Sequence, residues 1–198
     1  MAERGLSVDH TTIWRWVQRY APEVHQRLRG NLRPKSSTWH IDETFIRIAG
    51  RWLYLFRAVD GHGQTEDFYL SETRDREAAK LFLKKALANP DNHPPSVVAR
   101  DGLRSYPAAI RGLQGEGLIH QRCRHRTRVY ANNRIGSDHR SSKRRLRGMH
   151  GPRSIPTARR VIQGIEAVHM IGKGQVLGIT RDNLSGQAWV FGSLLGIR

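Results

Sequence analysis

Cysteine is almost missing from this chain: Cys123 is the only one in 198 residues, which excludes an intrachain disulfide framework and a thiolate-rich zinc finger. Long apolar runs are missing too. Nothing approaches the roughly 18 to 20 uninterrupted apolar residues of a membrane span, and no basic-then-apolar signal segment opens the sequence. The expectation is a cytoplasmic protein with no membrane partner. Acid is scarce, with 17 Asp+Glu against 34 Lys+Arg and a formal charge of +17. A polyanion is the partner that such a balance calls for. Apolar residues are not lacking: at 38% of the chain they suffice for a real core, and the length suits one medium α/β domain with a short appendage.

The positive charge is concentrated. Between Gln121 and Ile165 thirteen Lys/Arg stand against a single acid, Asp138. Such a run reads as a nucleic-acid surface rather than an evenly solvated face.

In the first segment, Ile13, Val17 and Tyr20 fall at i, i+4 and i+7, predicting an amphipathic helix with Asp9 and Thr11 available as caps. Gly5 allows a sharp turn before it. The outline is the second half of a helix-turn-helix, leaving Thr12, Arg15, Trp16 and Arg19 outward for DNA. Residues 30–37 read as a polar linker. Three antiparallel strands are predicted at 39–46, 52–59 and 65–70, separated by Ala49-Gly50 and Gly61-His62-Gly63. An amphipathic helix over 75–88 follows from Ala79, Phe82, Leu83, Ala86 and Leu87. Val97-Val98-Ala99 reads as a short buried strand that delivers Asp101 at its carboxyl end, the edge where open α/β sheets place their sites. A brief helix at 107–113, a strand near 118–120, a basic loop and helices over 133–145 and 156–170 complete a mixed sheet covered by helices.

Two acids sit where stability alone would not put them. Asp42 lies inside an apolar strand, and Asp101 directly follows a buried one. An edge-strand carboxylate satisfied by His40 or a backbone group, and a helix cap or turn residue, are the structural alternatives. Together the two suggest adjacent strands converging carboxylates on one point, an arrangement that a hard cation such as Mg²⁺ neutralises.

Four blocks in order carry a family resemblance: Trp39-His40-Ile41-Asp42-Glu43-Thr44; Tyr54-Leu55-Phe56-Arg57-Ala58-Val59-Asp60; the run from Asn132-Asn133 through Ile135 and Asp138-His139-Arg140 to Lys143-Arg144-Arg145; and Gly164-Ile165-Glu166-Ala167 with His169-Met170-Ile171 and Lys173-Gly174-Gln175. They resemble the DDE transposases of the insertion sequence six family, over nearly the whole chain. The resemblance implies an RNase H-like catalytic domain behind an N-terminal helix-turn-helix. It also implies metal-dependent cleavage and strand transfer of insertion-element DNA ends, with DNA ends and target DNA as partners and a homo-oligomer holding two ends together. The boundaries it suggests are a partial helix-turn-helix at 1–29, a linker at 30–37, the DDE domain at 38–175 and a C-terminal tail at 176–198. Such a site places two Mg²⁺ or Mn²⁺ ions among three carboxylates, of which Asp42 and Asp101 are the first two.

The third departs from the pattern. The family's glutamate stands 34 residues beyond the second aspartate, and counting 102 to 135 lands on Gly136. On a helix Asp138 points about 200° away. His139 shares roughly the face of Gly136 and is a weak substitute, because it brings no negative charge. Arg140, Lys143 and Arg147 line up with Gly136, and with Arg144 and Arg145 they make a basic stripe for the DNA backbone, so binding can outlast catalysis. The helix-turn-helix also begins in its middle, as in an N-terminally shortened copy or one with a misassigned start. The alternative to an active transposase is therefore a catalytically inactive DNA-binding remnant; an RNase H-type nuclease or RNA binder would share the fold and the charge without the motif order.

Other residues have plainer readings. Cys123 and His125 form Cys-x-His without a second cluster, which is not a zinc site. Trp14 and Trp16 can stack on bases, whereas Trp39 and Trp52 are assigned to core packing. Glu43 faces away from Asp42 and is structural, Asp60 is turn chemistry, and His169 caps or packs near a helix end.

Overall fold

Strand β1 (Thr38–Ile48) turns through Ala49 and Gly50 into β2 (Arg51–Asp60), which turns again into β3 (Thr65–Ser71). The computed structural model describes residues 8–100, 105–127, 135–136, 140, 143–146 and 152–196. The first turn has two residues with positive φ, 48° at Ala49 and 82° at Gly50; this backbone twist matches that of paired strands and accounts for a tight hairpin. Helix α2 (Arg76–Leu87) follows, then β4 (Val97–Arg100), α3 (Ser105–Gly115) and β5 (Arg124–Thr127). The sheet order is β3-β2-β1-β4-β5, with β1 antiparallel to β2 and parallel to β4, and β4 parallel to β5.

The chain divides into two contact units, Pro34–Gly148 and the pair Met1–Arg33 with Met149–Arg198. In the first unit, one face of the sheet (Trp39 and Ile41 of β1, Phe56 and Ala58 of β2) packs on Phe82 and Leu83 of α2 and on Tyr106 and Ile110 of α3. The apolar spacing read for α2 is therefore its buried stripe, and Asp75 caps it by accepting from the Ala78 backbone N–H at 2.8 Å.

The second unit holds α1 (His10–Arg29), α4 (Ile155–Gly172) and α5 (Leu184–Leu194). Val24 and Leu28 of α1 pack with Ala167, Met170 and Ile171 of α4, Val176, and Val190 of α5. Helix α4 starts on a capping box between Ser154 and Thr157. Its Gly164 lies so close to α1 that an added Cβ would stand 2.9 Å from that of Ala21.

Two sequence expectations need correction, the place of the last strand and the burial of Trp52. The strand read near 118–120 is a turn with Ile119 buried, and the strand is β5, inside the segment read as a basic loop. By contacts α4 (Ile155–Gly172) groups with α1, and residues 176–198 contain α5. The linker 30–37 is anchored at its start: the Arg33 backbone N–H donates to the Gln175 carbonyl at 2.8 Å, and its guanidinium donates to Val176 and Ile179 carbonyls. Trp52, assigned to the core, is 62% exposed, because β2 is covered only from Leu53 onward.

A bulge in β3 creates a buried acid. Asp67 lies opposite Ala58 and Thr65 opposite Val59, so Glu66 is the extra residue. Its carboxylate is buried 3.4 Å from the equally buried Lys35 ammonium. Burial pushes its carboxyl up from 4.5 to about 7, against the pull of Lys35 and with the repulsion of Asp60. The unfolded chain loses this proton near the ordinary glutamate value while the fold keeps it until about 7. Ionisation thus penalises the folded state, not at all below the lower value and in full above the higher one. At 1.36 kcal/mol per pKa unit the penalty is about 3 kcal/mol. The urea midpoint should fall between about pH 5 and about pH 8, and it should fall less in Glu66→Gln; equal falls in both proteins would refute the assignment.

Candidate active site

Strand β1 is the middle strand of the sheet, so a polar side chain on it is held on both sides. Asp42 is half-buried and stands in register opposite Arg57 of β2, whose side chain is fully buried. Directly opposed residues of an antiparallel pair share a face, so Asp42 and Arg57 project from the same side of the sheet. On the other side β1 runs parallel to β4, with Ile41 paired to Arg100. Asp42 and Asp101 are the next residues in each strand's sequence; Asp101 lies outside the described residues.

Alternation turns the neighbour of Asp42 to the opposite face. The Glu43 carboxylate is buried there, where it accepts from the Arg74 guanidinium, with the Nε contact at 2.7 Å, and from the Tyr106 hydroxyl at 2.9 Å. Glu43 is thus a clamp joining β1, the approach to α2, and α3. It fixes the strand that bears Asp42, in keeping with its structural assignment.

Gly136 is helical and half-buried, and it follows the fully buried Ile135. A Cβ placed on Gly136 would meet nothing within 4 Å. Asp138, His139 and Arg147 lie outside the described residues. Arg140, Arg144 and Arg145 are exposed and Lys143 is half-buried, all in helical conformation.

Helix α1 is a single helix of 20 residues, and residues 1–7, Gly5 included, lie outside the described residues. Arg15, Trp16 and Arg19 are exposed, as read from the sequence. Thr12 is occupied: its backbone N–H and hydroxyl donate to Asp9 at 3.1 and 3.2 Å. Asp9 is the cap, and hydrogen bonds from the Thr11 hydroxyl and the Thr12 and Thr11 amides pull its carboxyl down to about 2.

Burial holds the Cys123 thiol above its ordinary value. Burial, then the cations Arg100 and Arg111, hold His125 below its own. Among the described residues no three His, Cys, Asp or Glu side chains gather as a metal cluster, and no helix is long and apolar enough to cross a membrane. Asp60 is turn chemistry in fact: its carboxylate accepts from the His62 and Gln64 amides at 2.8 Å each, and from the Ser36 amide at the same distance. The sequence reading missed Arg57 as the in-register partner of Asp42; a lone arginine in an apolar run was the available signal.

A family profile described as a DDE domain matches residues 36–175, spanning β1 through α4. The transposase for insertion sequence-like element IS431mec of Staphylococcus aureus is 36% identical over 173 residues, covering 87% of this chain and 75% of that protein. The chain belongs to the DDE transposases of the insertion sequence six family. A second S. aureus relative, the transposase for insertion sequence element IS257 in transposon Tn4003, is also 36% identical, over 86% of this chain and 73% of its own length. Among solved structures, the catalytic core domain of BIV integrase superposes with a TM-score of 0.51 at 16% identity, covering 73% of this chain and 90% of that one. The fold of the transposase is RNase H-like, a mixed five-stranded sheet with flanking helices. Its family function is that of a DDE-type polynucleotidyl transferase.

Proposed function

We propose that this transposase binds the DNA ends of its insertion element and target DNA as a homo-oligomer, and that Asp42 and Asp101 are its metal-binding catalytic carboxylates. The observation that carries the reading is the parallel register of β1 and β4, with Ile41 opposite Arg100. Each aspartate follows one member of that pair. A half-buried carboxylate on the middle strand is oxygen-donor chemistry of the kind that Mg²⁺ or Mn²⁺ takes. Bound there, a divalent ion supplies positive charge to a phosphoryl group under in-line displacement.

The chain's own residues do the rest. Arg57 sits across from Asp42 and neutralises part of its charge within the sheet. Arg140, Lys143, Arg144 and Arg145, together with Arg147, grip the phosphate backbone of DNA. Arg15 and Arg19 offer a second contact from α1, with Thr12 beside them. Glycine at 136 favours a second reading, in which this copy binds DNA ends without turning them over, His139 being the residue left to stand in for the missing acid.

Joining of pre-cut element ends into plasmid DNA, with Mg²⁺ and then Mn²⁺, separates the readings. Divalent-dependent joining that Asp42→Asn abolishes supports the enzyme. Binding of ends with no joining supports the remnant. Cleavage of an RNA–DNA hybrid without either would overturn both.

A further inference from the structure

Past Asp42, β1 has no described partner on its β4 side, and β2 pairs with β3 only from Tyr54 onward. The hairpin tip thus projects from the sheet as a two-stranded ribbon. On one face of it sit Phe45 and Arg47 of β1, paired in register with Tyr54 and Trp52 of β2. The rings are not buried: Trp52 is 62% and Phe45 47% exposed. They stand edge to face with centroids 6.4 Å apart, and Tyr54 backs Phe45 at 5.0 Å. The Arg47 guanidinium carbon lies 5.8 Å from the Trp52 ring, and its Nε donates to the Gly50 carbonyl at 3.2 Å, which holds the cation against the turn. Lys143 and Leu146 of the basic helical residues close the other side of a pocket of about 200 Å³, lined also by Phe45, Ile46, Arg47 and Trp52.

We propose that this pocket captures an unpaired DNA nucleotide, with its base stacked on the face of Trp52 and set edge-on against Phe45, and its phosphate held between Arg47 and Lys143. The proposal rests on the reading that the chain acts on DNA. Among the described residues, neither ring belongs to a buried core cluster. Flat aromatic faces with cations at the rim are what base stacking requires, and such stacking accepts any base because each has a π face. The charge fits the same occupant: the chain carries +17 overall, and Arg144 and Arg145 continue from Lys143 on exposed helical positions. A paired base inside a duplex cannot enter, because both of its faces are already stacked.

The test measures equilibrium binding of the full chain to two labelled DNAs, a blunt duplex and the same duplex with one unpaired nucleotide carrying 2-aminopurine. The parent should prefer the unpaired form. Trp52→Ala should reduce the ratio of the two affinities about tenfold, within the range for loss of one stacked base, and Trp52→Phe should restore most of it. The 2-aminopurine emission should fall on binding to the parent and not to Trp52→Ala. Lys143→Ala should weaken both DNAs and reduce the salt slope by about 1. Because Trp52 is exposed, unchanged thermal unfolding of its variants serves as the folding control. An unchanged affinity ratio with unquenched emission would overturn the pocket while leaving DNA binding intact. A parent that binds neither DNA overturns the pocket together with the reading beneath it. If Trp52→Ala leaves the ratio unchanged but lowers the oligomeric state, the rings belong to a contact between copies of the chain and the proposal fails.

Discussion

Gly136→Glu is expected to raise divalent-dependent joining of pre-cut element ends by roughly a hundredfold or more, the scale of restoring one group that stabilises charge in a transition state. Three properties of position 136 support that size of effect. The residue is helical, so replacing glycine also gains about 0.5 to 1 kcal/mol of helix propensity. It follows buried Ile135, which anchors the turn, and a Cβ there has nothing within 4 Å. The Cβ of a glutamate therefore enters without displacing a described neighbour. What it adds, on the proposed reading, is the third carboxylate of the site, ahead in sequence of Arg140, Lys143, Arg144 and Arg145. In the Gly136→Glu background Asp42→Asn should return joining to the starting level, while Gly136→Gln, equal in size and neutral, should gain little. A parent chain that joins ends as fast as Gly136→Glu would show that another group completes the site.

The largest loss of stability is expected from Asp60→Ala, about 3 to 5 kcal/mol by urea unfolding. The carboxylate is fully buried and accepts from three backbone amides, those of Ser36, His62 and Gln64. Those bonds tie the chain entering β1 to the turn between β2 and β3. Removing the acceptor strands three donors at about 1 to 3 kcal/mol each, less what water recovers at the turn. Asp60→Asn keeps one acceptor oxygen and should lose less. Since the Asp60 charge helps to raise Glu66, Asp60→Ala should also show a shallower fall in stability with rising pH. A loss under about 1 kcal/mol would mean that the amides find other partners.

Elements that bury a periodic stripe were legible in the residues. The three-stranded meander, α2 and α4 lie within a few residues of their expected places, because their caps, turns and apolar spacing agree with one another. Strand β5 was not legible, for a physical reason: Arg-His-Arg-Thr is exposed throughout and pairs with β4 through its backbone alone, so it needs no apolar alternation. Charged side chains on such an edge also discourage pairing with foreign strands. Helix α5 escaped because it has no amphipathic pattern; Val190 is buried while Leu184 and Trp189 are exposed. At the site, Asp42 stood out as an acid in an apolar strand, and Glu43 followed from alternation. The pairing of Asp42 with Arg57 was missed although a two-residue turn at Ala49-Gly50 pairs Ile48 with Arg51 and so Asp42 with Arg57. Trp52 was misassigned for a related reason: the apolar run of β2 continues to the hairpin tip, where the ring stays 62% exposed.

The strand order β3-β2-β1-β4-β5 also governs how the chain acquires its site during synthesis. Strands β1 to β3 are joined by short turns and can zip together as soon as they leave the ribosome. The other edge of β1 waits for β4, which is separated from it by the meander and α2. Throughout that interval a strand destined for the centre of the sheet presents unpaired amides and carbonyls to every neighbouring nascent chain. The acid at position 42 thus keeps a half-open edge until residue 100 has been made, and ribosomes translating one message in close file would be most prone to entangle their products in that window.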